Sequence, residues 1–255
     1  MNKRTVINRF FWVFGAVLLL LSASYGSKKV KSAEISDVKI EIKETEKGSF
    51  VNKIEVNDRL NNFYAPSLID QEKSDLKVSE VDSLLTSSPF IKFSKTYTNV
   101  KGELFIEIEQ EVPLFRVINK KGSSYYVSTD GRKFPLSAHK AAKVIVATGN
   151  IIEEVYPTDS LSTKVLKDLH QIASYLEEND FFKALSGQLY VAENGDIKLI
   201  TKSEERHDII LGDAQNLESK FDNLYQFYTK VLTVKGWNSY KTINLKFRNQ
   251  IVAKK

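Results

Sequence analysis

The chain contains no cysteine among its 255 residues. That absence excludes a disulfide scaffold, a thiolate metal site, a cysteine nucleophile and lipid modification of an N-terminal cysteine. It leaves the redox compartment open, because a domain of this size does not need a disulfide. Histidine is scarce as well, with only His139, His170 and His207. None stands at HxxxH or HExxH spacing and no carboxylate is grouped with them at ligand spacing, so neither a metal nor another cofactor is expected. His207-Asp208 after Ser203 holds triad residue types, but no GxSxG supplies a nucleophile context. Gly122, Gly131, Gly149, Gly187 and Gly195 fall singly at turns rather than in a phosphate loop. Glu153-Glu154 and Glu177-Glu178 are adjacent pairs that point in different directions, and they read as solvated faces. Asp130 in a TDG triplet lacks the spacing of a calcium loop. No internal repeat or low-complexity segment appears. No constellation supports an enzyme.

Hydrophobic residues make up 42% of the chain and charged residues 27%, a balance that allows a substantial core. The formal charge of +5 looks like a nucleic-acid signal until it is partitioned. Residues 1–31 carry Lys3, Arg4, Arg9, Lys28, Lys29 and Lys31 and no acid, leaving 31 basic against 32 acidic residues in the body. A nucleic-acid-binding domain would carry the excess on itself, so nucleic acid is not an expected partner.

Between the N-terminal cations and Lys28 lies FFWVFGAVLLLLSASY (10–25), with no charge. Lipid favours these side chains, while Lys3, Arg4 and Arg9 resist crossing, so the N-terminus is expected inside and the body outside the cytoplasm. The run is short against the roughly 20 residues of a full span, yet sufficient in a thin bilayer. A cleavable signal peptide has the same features, ending in small residues such as Ser22-Ala23-Ser24. Both readings export residues 32–255.

The expected organisation is a cytoplasmic tail (1–9), an anchor (10–26), a polar linker (27–36), a first domain (37–112) and a second (113–255). In the first, Val38, Ile40 and Ile42 alternate with charges as in a half-buried strand. A short helix spans the apolar positions Phe50 to Phe63. A second helix, capped by Ser79 and carrying Val81, Leu84 and Leu85, stops before Pro89. Strands at 91–100 and 103–109 complete an α+β unit with helices on one sheet face.

The second domain reads as a mainly antiparallel sheet with packed helices. Strands are expected at 114–119, 125–128, 133–136, 144–148, 188–193, 197–202 and 207–211, with Asn194-Gly195 a strong hairpin signal. One helix is expected to start at Thr158 or Asp159, with Leu161, Val165, Leu166, Leu169, Ile172, Ala173 and Leu176 on one stripe, and a second is marked by Leu217, Phe221, Leu224, Tyr228 and Val231. The chain closes with strands at 240–247 and 250–254, paired through Arg248-Asn249, with Trp237 packing at their base. A strand ending at the C-terminus tends to lie at a sheet edge, with backbone groups open to an incoming strand. The β-prone Gln250-Ile251-Val252-Ala253 followed by Lys254-Lys255 fits that role.

Five segments in order resemble the FtsQ/DivIB family of bacterial cell-division proteins, in its Bacteroidetes-like form. They are the short tail with its single anchor, SPFIKFSKTYTNVKGELFIEIEQEVPLFRV (88–117), YYVSTDGRKFPLS (125–137), KVIVATG (143–149) and LGDAQNLESKF (211–221). The resemblance implies a retained anchor, a POTRA domain and a β domain, in a single-pass inner-membrane protein at the septum. Its soluble domains would be periplasmic, and it would be a non-enzymatic scaffold with FtsB/DivIC- and FtsL-type partners that helps regulate septal peptidoglycan synthesis. It further implies that a partner strand adds at Asn249, Gln250, Ile251, Val252, Ala253 and Lys254, with Phe247 as an aromatic contact. The chain departs from some relatives in its short tail and in ending at Lys255 without a terminal tryptophan. The alternative is an exported POTRA-containing protein that assists outer-membrane assembly or secretion.

Overall fold

A computed structural model describes residues 34–255 except 65–67, 70, 139, 157, 203–206 and 248–249, together with Val17. The rest of the expected anchor, His139, Ser203 and the Arg248-Asn249 turn lie outside the described residues. Among the described residues no helix is long and apolar enough to cross a membrane. The chain divides into two compact units. One holds the described residues up to Glu44 and Val51–Gln110; the other holds Thr45–Phe50 and Glu111–Lys255.

The first unit is a three-stranded sheet with two helices. β1 (Asp37–Ile42) lies parallel to β3 (Glu103–Gln110), which pairs antiparallel with β2 (Ile91–Thr98), giving the order β1-β3-β2. α1 (Lys53–Phe63) begins where Asn52 Oδ1 accepts from Glu55 N at 2.8 Å, satisfying one of the helix's orphan donors. Val56 and Leu60, one turn apart, are its buried face, while Ile54 and Phe63 are exposed. The expectation of an apolar run from Phe50 is therefore corrected: Phe50 packs in the second unit against the rings of Tyr126 and Phe134, at 5.7 and 5.9 Å.

α2 (Val78–Thr86) starts at Lys77, and Ser79 lies inside it instead of capping it. Val81 and Leu85 are buried, and Asp82 accepts from Ser94 Oγ (3.1 Å) and Thr96 Oγ1 (2.6 Å), pinning the helix to β2. The core combines Ile35, Val56, Leu60, Val81, Leu85, Leu104, Ile106 and Ile108. Each fully buried aliphatic contributes about 1.5–3 kcal/mol. Gly102 closes the β2–β3 turn at φ +89°, where a Cβ would stand 2.2 Å from the Glu34 carbonyl oxygen. Only glycine fits that approach.

The second unit carries a nine-stranded sheet: β4 (Pro113–Ile118), β5 (Ser124–Ser128), β6 (Lys133–Pro135), β7 (Ile145–Gly149), β8 (Ser186–Val191), β9 (Ile197–Thr201), β10 (Asp208–Gly212), β11 (Thr242–Asn244) and β12 (Val252–Lys254). Their order is β12-β11-β10-β9-β8-β7-β4-β5-β6. Five of the eight neighbouring pairs are antiparallel and three are parallel, so the sheet is mixed. Parallel neighbours need crossovers, and helices supply two of them. α3 (Lys164–Glu178) and α4 (Asp180–Leu185) connect β7 to β8. α5 (Leu217–Gln226), running on into a π-helical stretch (Phe227–Leu232), connects β10 to β11.

Leu166, Leu169, Ile172, Ala173 and Leu176 form the buried stripe of α3, at the spacing read from the sequence. The helix begins after Thr163, whose Oγ1 accepts from Leu166 N at 3.3 Å, and not at Thr158 or Asp159. Tertiary structure overrides the earlier start, because Asp159 and Ser160 are used at the β6 edge instead.

Candidate partner-binding edge

The two outer strands of the large sheet are treated differently. β6 is covered: Lys133 N donates to Asp159 O at 2.5 Å, Arg132 bridges Ser160, and Arg132 Nε donates to Asp159 Oδ2 at 3.1 Å. A buried ion pair anchors this cover. Lys133 Nζ lies 2.8 Å from Glu153 Oε1, with side-chain exposures of 1% and 7%. Glu153 Oε1 also accepts from Ser162 N (3.0 Å) and Ser162 Oγ (2.9 Å), and Oε2 accepts from Thr163 N (2.9 Å). Burial pushes this carboxyl pKa up, but the Lys133, Thr163 and Ser162 hydrogen bonds outweigh burial and bring it to about 2. Glu153 is thus no solvated face, contrary to the expectation from its adjacency to Glu154. Tyr125 Oη donates to the Glu153 carbonyl oxygen at 3.0 Å, and burial pushes that phenol upward.

β12 is open. It pairs only with β11, in the register Thr242↔Lys254, Ile243↔Ala253 and Asn244↔Val252, with Lys241 N donating to Lys254 O at 2.8 Å. No strand lies on its other side among the described residues. Ile251 and Ala253 pack against the core, which fixes which face of the strand is turned inward. Val252 is half-buried, Gln250 and Lys254 are exposed, and Asn249 lies outside the described residues. A three-residue strand closing at Lys254, with Lys255 after it, is a short, charged edge, which limits uncontrolled self-pairing.

Phe247 is exposed beside a surface recess of about 200 Å³ lined also by Asn216, Ser219, Lys220, Asn223, Leu245, Lys246 and Gln250. Its cations are committed: Lys246 Nζ lies 2.7 Å from Asp196 Oδ2, and Lys220 Nζ donates to Asp213 O at 2.9 Å. The hydrogen bond from Lys246 holds Asp196 below the usual carboxylate range.

His207 is a structural pin. Its Nε2–H donates to Trp237 O at 2.9 Å, because a carbonyl can only accept; Nδ1 then accepts a hydrogen bond from the Tyr228 hydroxyl at 2.7 Å. The π-helical stretch widens the turn so that both Phe227 and Tyr228 are buried, one against Tyr240 and the other against His207. Trp237 is correspondingly half-exposed instead of packed at the base of the last strands. His170, on α3, donates through Nε2 to Thr129 O at 3.0 Å. Replacing His207 with alanine strands two buried polar groups and is expected to cost about 2 kcal/mol, with Tyr228→Phe costing about half as much. Urea melts of the two variants and the double mutant check this; a loss from His207→Ala no larger than from an exposed control would refute it.

Of the expected contact positions, Val252, Ala253 and Lys254 lie in the outer strand β12, Gln250 and Ile251 just precede it and Phe247 follows β11, while Lys133 and Glu153 carry no expectation of a buried pair. A lysine beside Phe134 in a short strand carries no sequence signal of burial. Among the described residues no group of three or more histidine, aspartate or glutamate side chains is placed to hold a metal.

These features define a two-unit α+β protein whose first unit, over residues 34–109, matches a POTRA-like domain. Residues 112–254 match the family described as FtsQ/DivIB, C-terminal related. That match spans more than half of the chain, which therefore belongs to the FtsQ/DivIB family of non-enzymatic cell-division proteins. Among curated proteins nothing matches the chain.

Proposed function

We propose that the chain is a bitopic scaffold of the division machinery at the septum, without catalytic activity of its own. The apolar segment 10–26 holds it in the inner membrane, with residues 1–9 cytoplasmic and both units periplasmic. It captures FtsB/DivIC- and FtsL-type partners by strand addition at β12 and thereby helps regulate septal peptidoglycan synthesis. The observation that carries this reading is the asymmetry of the sheet: β6 is covered by the Asp159–Ser160 backbone, while β12 presents unpaired backbone groups on one side. The FtsQ/DivIB match favours division over outer-membrane assembly.

Hydrogen exchange on the full-length chain in a membrane mimetic tests the reading. With the FtsB/DivIC-type protein of the same genome added, the outward amides among 250–254 should gain protection. A stable complex in which these amides exchange as in the free chain would refute strand addition.

A further inference from the structure

One aromatic cluster is not consumed by the fold. Phe181, Tyr225 and Trp237 are 37%, 48% and 46% exposed. They are grouped around the buried Tyr228: Phe181 meets Tyr225 edge-on at 5.1 Å, and Tyr228 lies 6.2 Å from Phe181 and 5.8 Å from Trp237. The chain itself links this ledge to the open edge. Three residues after Trp237 the chain reaches Tyr240, and Lys241 N then donates to the Lys254 carbonyl at the end of β12.

Charge is sorted along the segment that carries Tyr225 and Trp237. From Asn223 to Lys255 there are seven cations (Lys230, Lys235, Lys241, Lys246, Arg248, Lys254, Lys255) and no carboxylate. Lys246 is held by Asp196, but Lys235, Lys241, Lys254 and Lys255 form no ion pair among the described residues. Asp208 pairs opposite Thr242 and lies 3.8 Å from Lys198, and the acids of the ledge stand at its other end, Asp180 beside Phe181 and Asp222 three residues before Tyr225. An apolar ledge whose Trp237 end is carried on a segment of uncommitted cations is built to be covered, and tryptophan and tyrosine in such a setting are typical binding anchors.

We infer that the Phe181–Tyr225–Trp237 ledge is a second docking surface. Its occupant is the continuation, past Lys254, of the segment that adds to β12: an acidic stretch bearing at least one large apolar side chain. This rests on the strand-addition reading above. The apolar side chain covers Trp237, and the acidic groups face Lys235, Lys241 and the terminal lysines. Electrostatic attraction speeds encounter and selects against basic segments, while the ring contact slows release.

Trp12 and Trp237 are the only tryptophans, so the full chain carrying Trp12→Phe reports on Trp237 alone. The probe is the periplasmic region of the FtsB/DivIC-type protein from the same genome. On binding, Trp237 emission should move to shorter wavelength and acrylamide quenching should fall. Trp237→Ala should weaken binding about tenfold or more, since the backbone carbonyl that holds His207 remains. Tyr225→Ala should weaken it in the same direction, and Lys235→Glu/Lys241→Glu should weaken it and flatten its salt dependence.

Protection at 250–254 with unchanged Trp237 emission and quenching would overturn the ledge and leave strand addition standing. A buried Trp237 without that protection would overturn strand addition and the continuity inferred here. Failure of any complex to form would overturn both.

Discussion

Glu153→Ala is expected to destabilise the chain by about 3–5 kcal/mol, the range for breaking a buried ion pair by removing one partner. At this size that corresponds to a fall in Tm of roughly 6–20 °C. The loss has three sources. Lys133 keeps its charge in a site where its side chain is 1% exposed, with only the Glu154 carbonyl at 2.8 Å left to it. The amides of Ser162 and Thr163 lose their acceptor just before α3. The connection that covers β6 loses its anchor.

The pair Lys133→Met/Glu153→Leu should recover part of the loss, because it removes the stranded charge, but not all, because the two amides stay unpaired. The acid limb gives a second check. Glu153 has a folded-state pKa of about 2, below the ordinary 4.5, so its contribution is complete above the unfolded value and disappears as pH falls through the folded one. Wild-type stability should therefore drop between about pH 4.5 and 2 more steeply than that of Glu153→Ala. Parallel acid limbs would show that the pair contributes little.

Proline substitution at Ile251 and at Val252 is expected to separate folding from binding at the open edge. Adjacent residues on a strand direct their N–H groups to opposite sides, so one of the two prolines removes a donor to β11 and the other a donor to the incoming strand. The outward-facing case should leave the thermal midpoint nearly unchanged and reduce affinity for the FtsB/DivIC-type partner at least about 100-fold, or about 2.8 kcal/mol. Titration calorimetry and thermal melts on both variants give the comparison. If both bind as well as the wild type, strand addition at β12 is wrong.

How far these features were legible depends on the range of the interaction that creates them. Alternation at Val38, Ile40 and Ile42, and the stripe from Leu166 to Leu176, reflect a single element facing a single core. Local sequence suffices there. α3 starts several residues after the Thr158 or Asp159 that local sequence favours, because Asp159 and the following Ser160 are drawn to β6 by backbone pairing with Lys133 and Arg132. Ser79 is not the cap, because the helix begins at Val78, two residues before the Glu80 start that a Ser79 cap implies.

The same division runs through the candidate site. That the chain closes with a β-prone segment ending in Lys254-Lys255 was readable from composition, whereas the packing of Ile251 and Ala253 against the core is a finding of the structure. That it lies at a free edge was an expectation only topology could test, because an edge is defined by the strand that is missing. The pairing of Lys133 with Glu153, the pinning of Tyr228 and Trp237 by His207, and the parallel insertion of β7 and β11 all join residues 20 or more positions apart.

Sequence alone therefore determined the α+β class, the existence of most strands and helices, and the character of the final strand. Each follows from side-chain periodicity and backbone preference within about ten residues. Tertiary structure decided which edge was covered and which left open, because closing an edge takes hydrogen bonds from a segment distant in the chain, and short-range pattern carries no record of them.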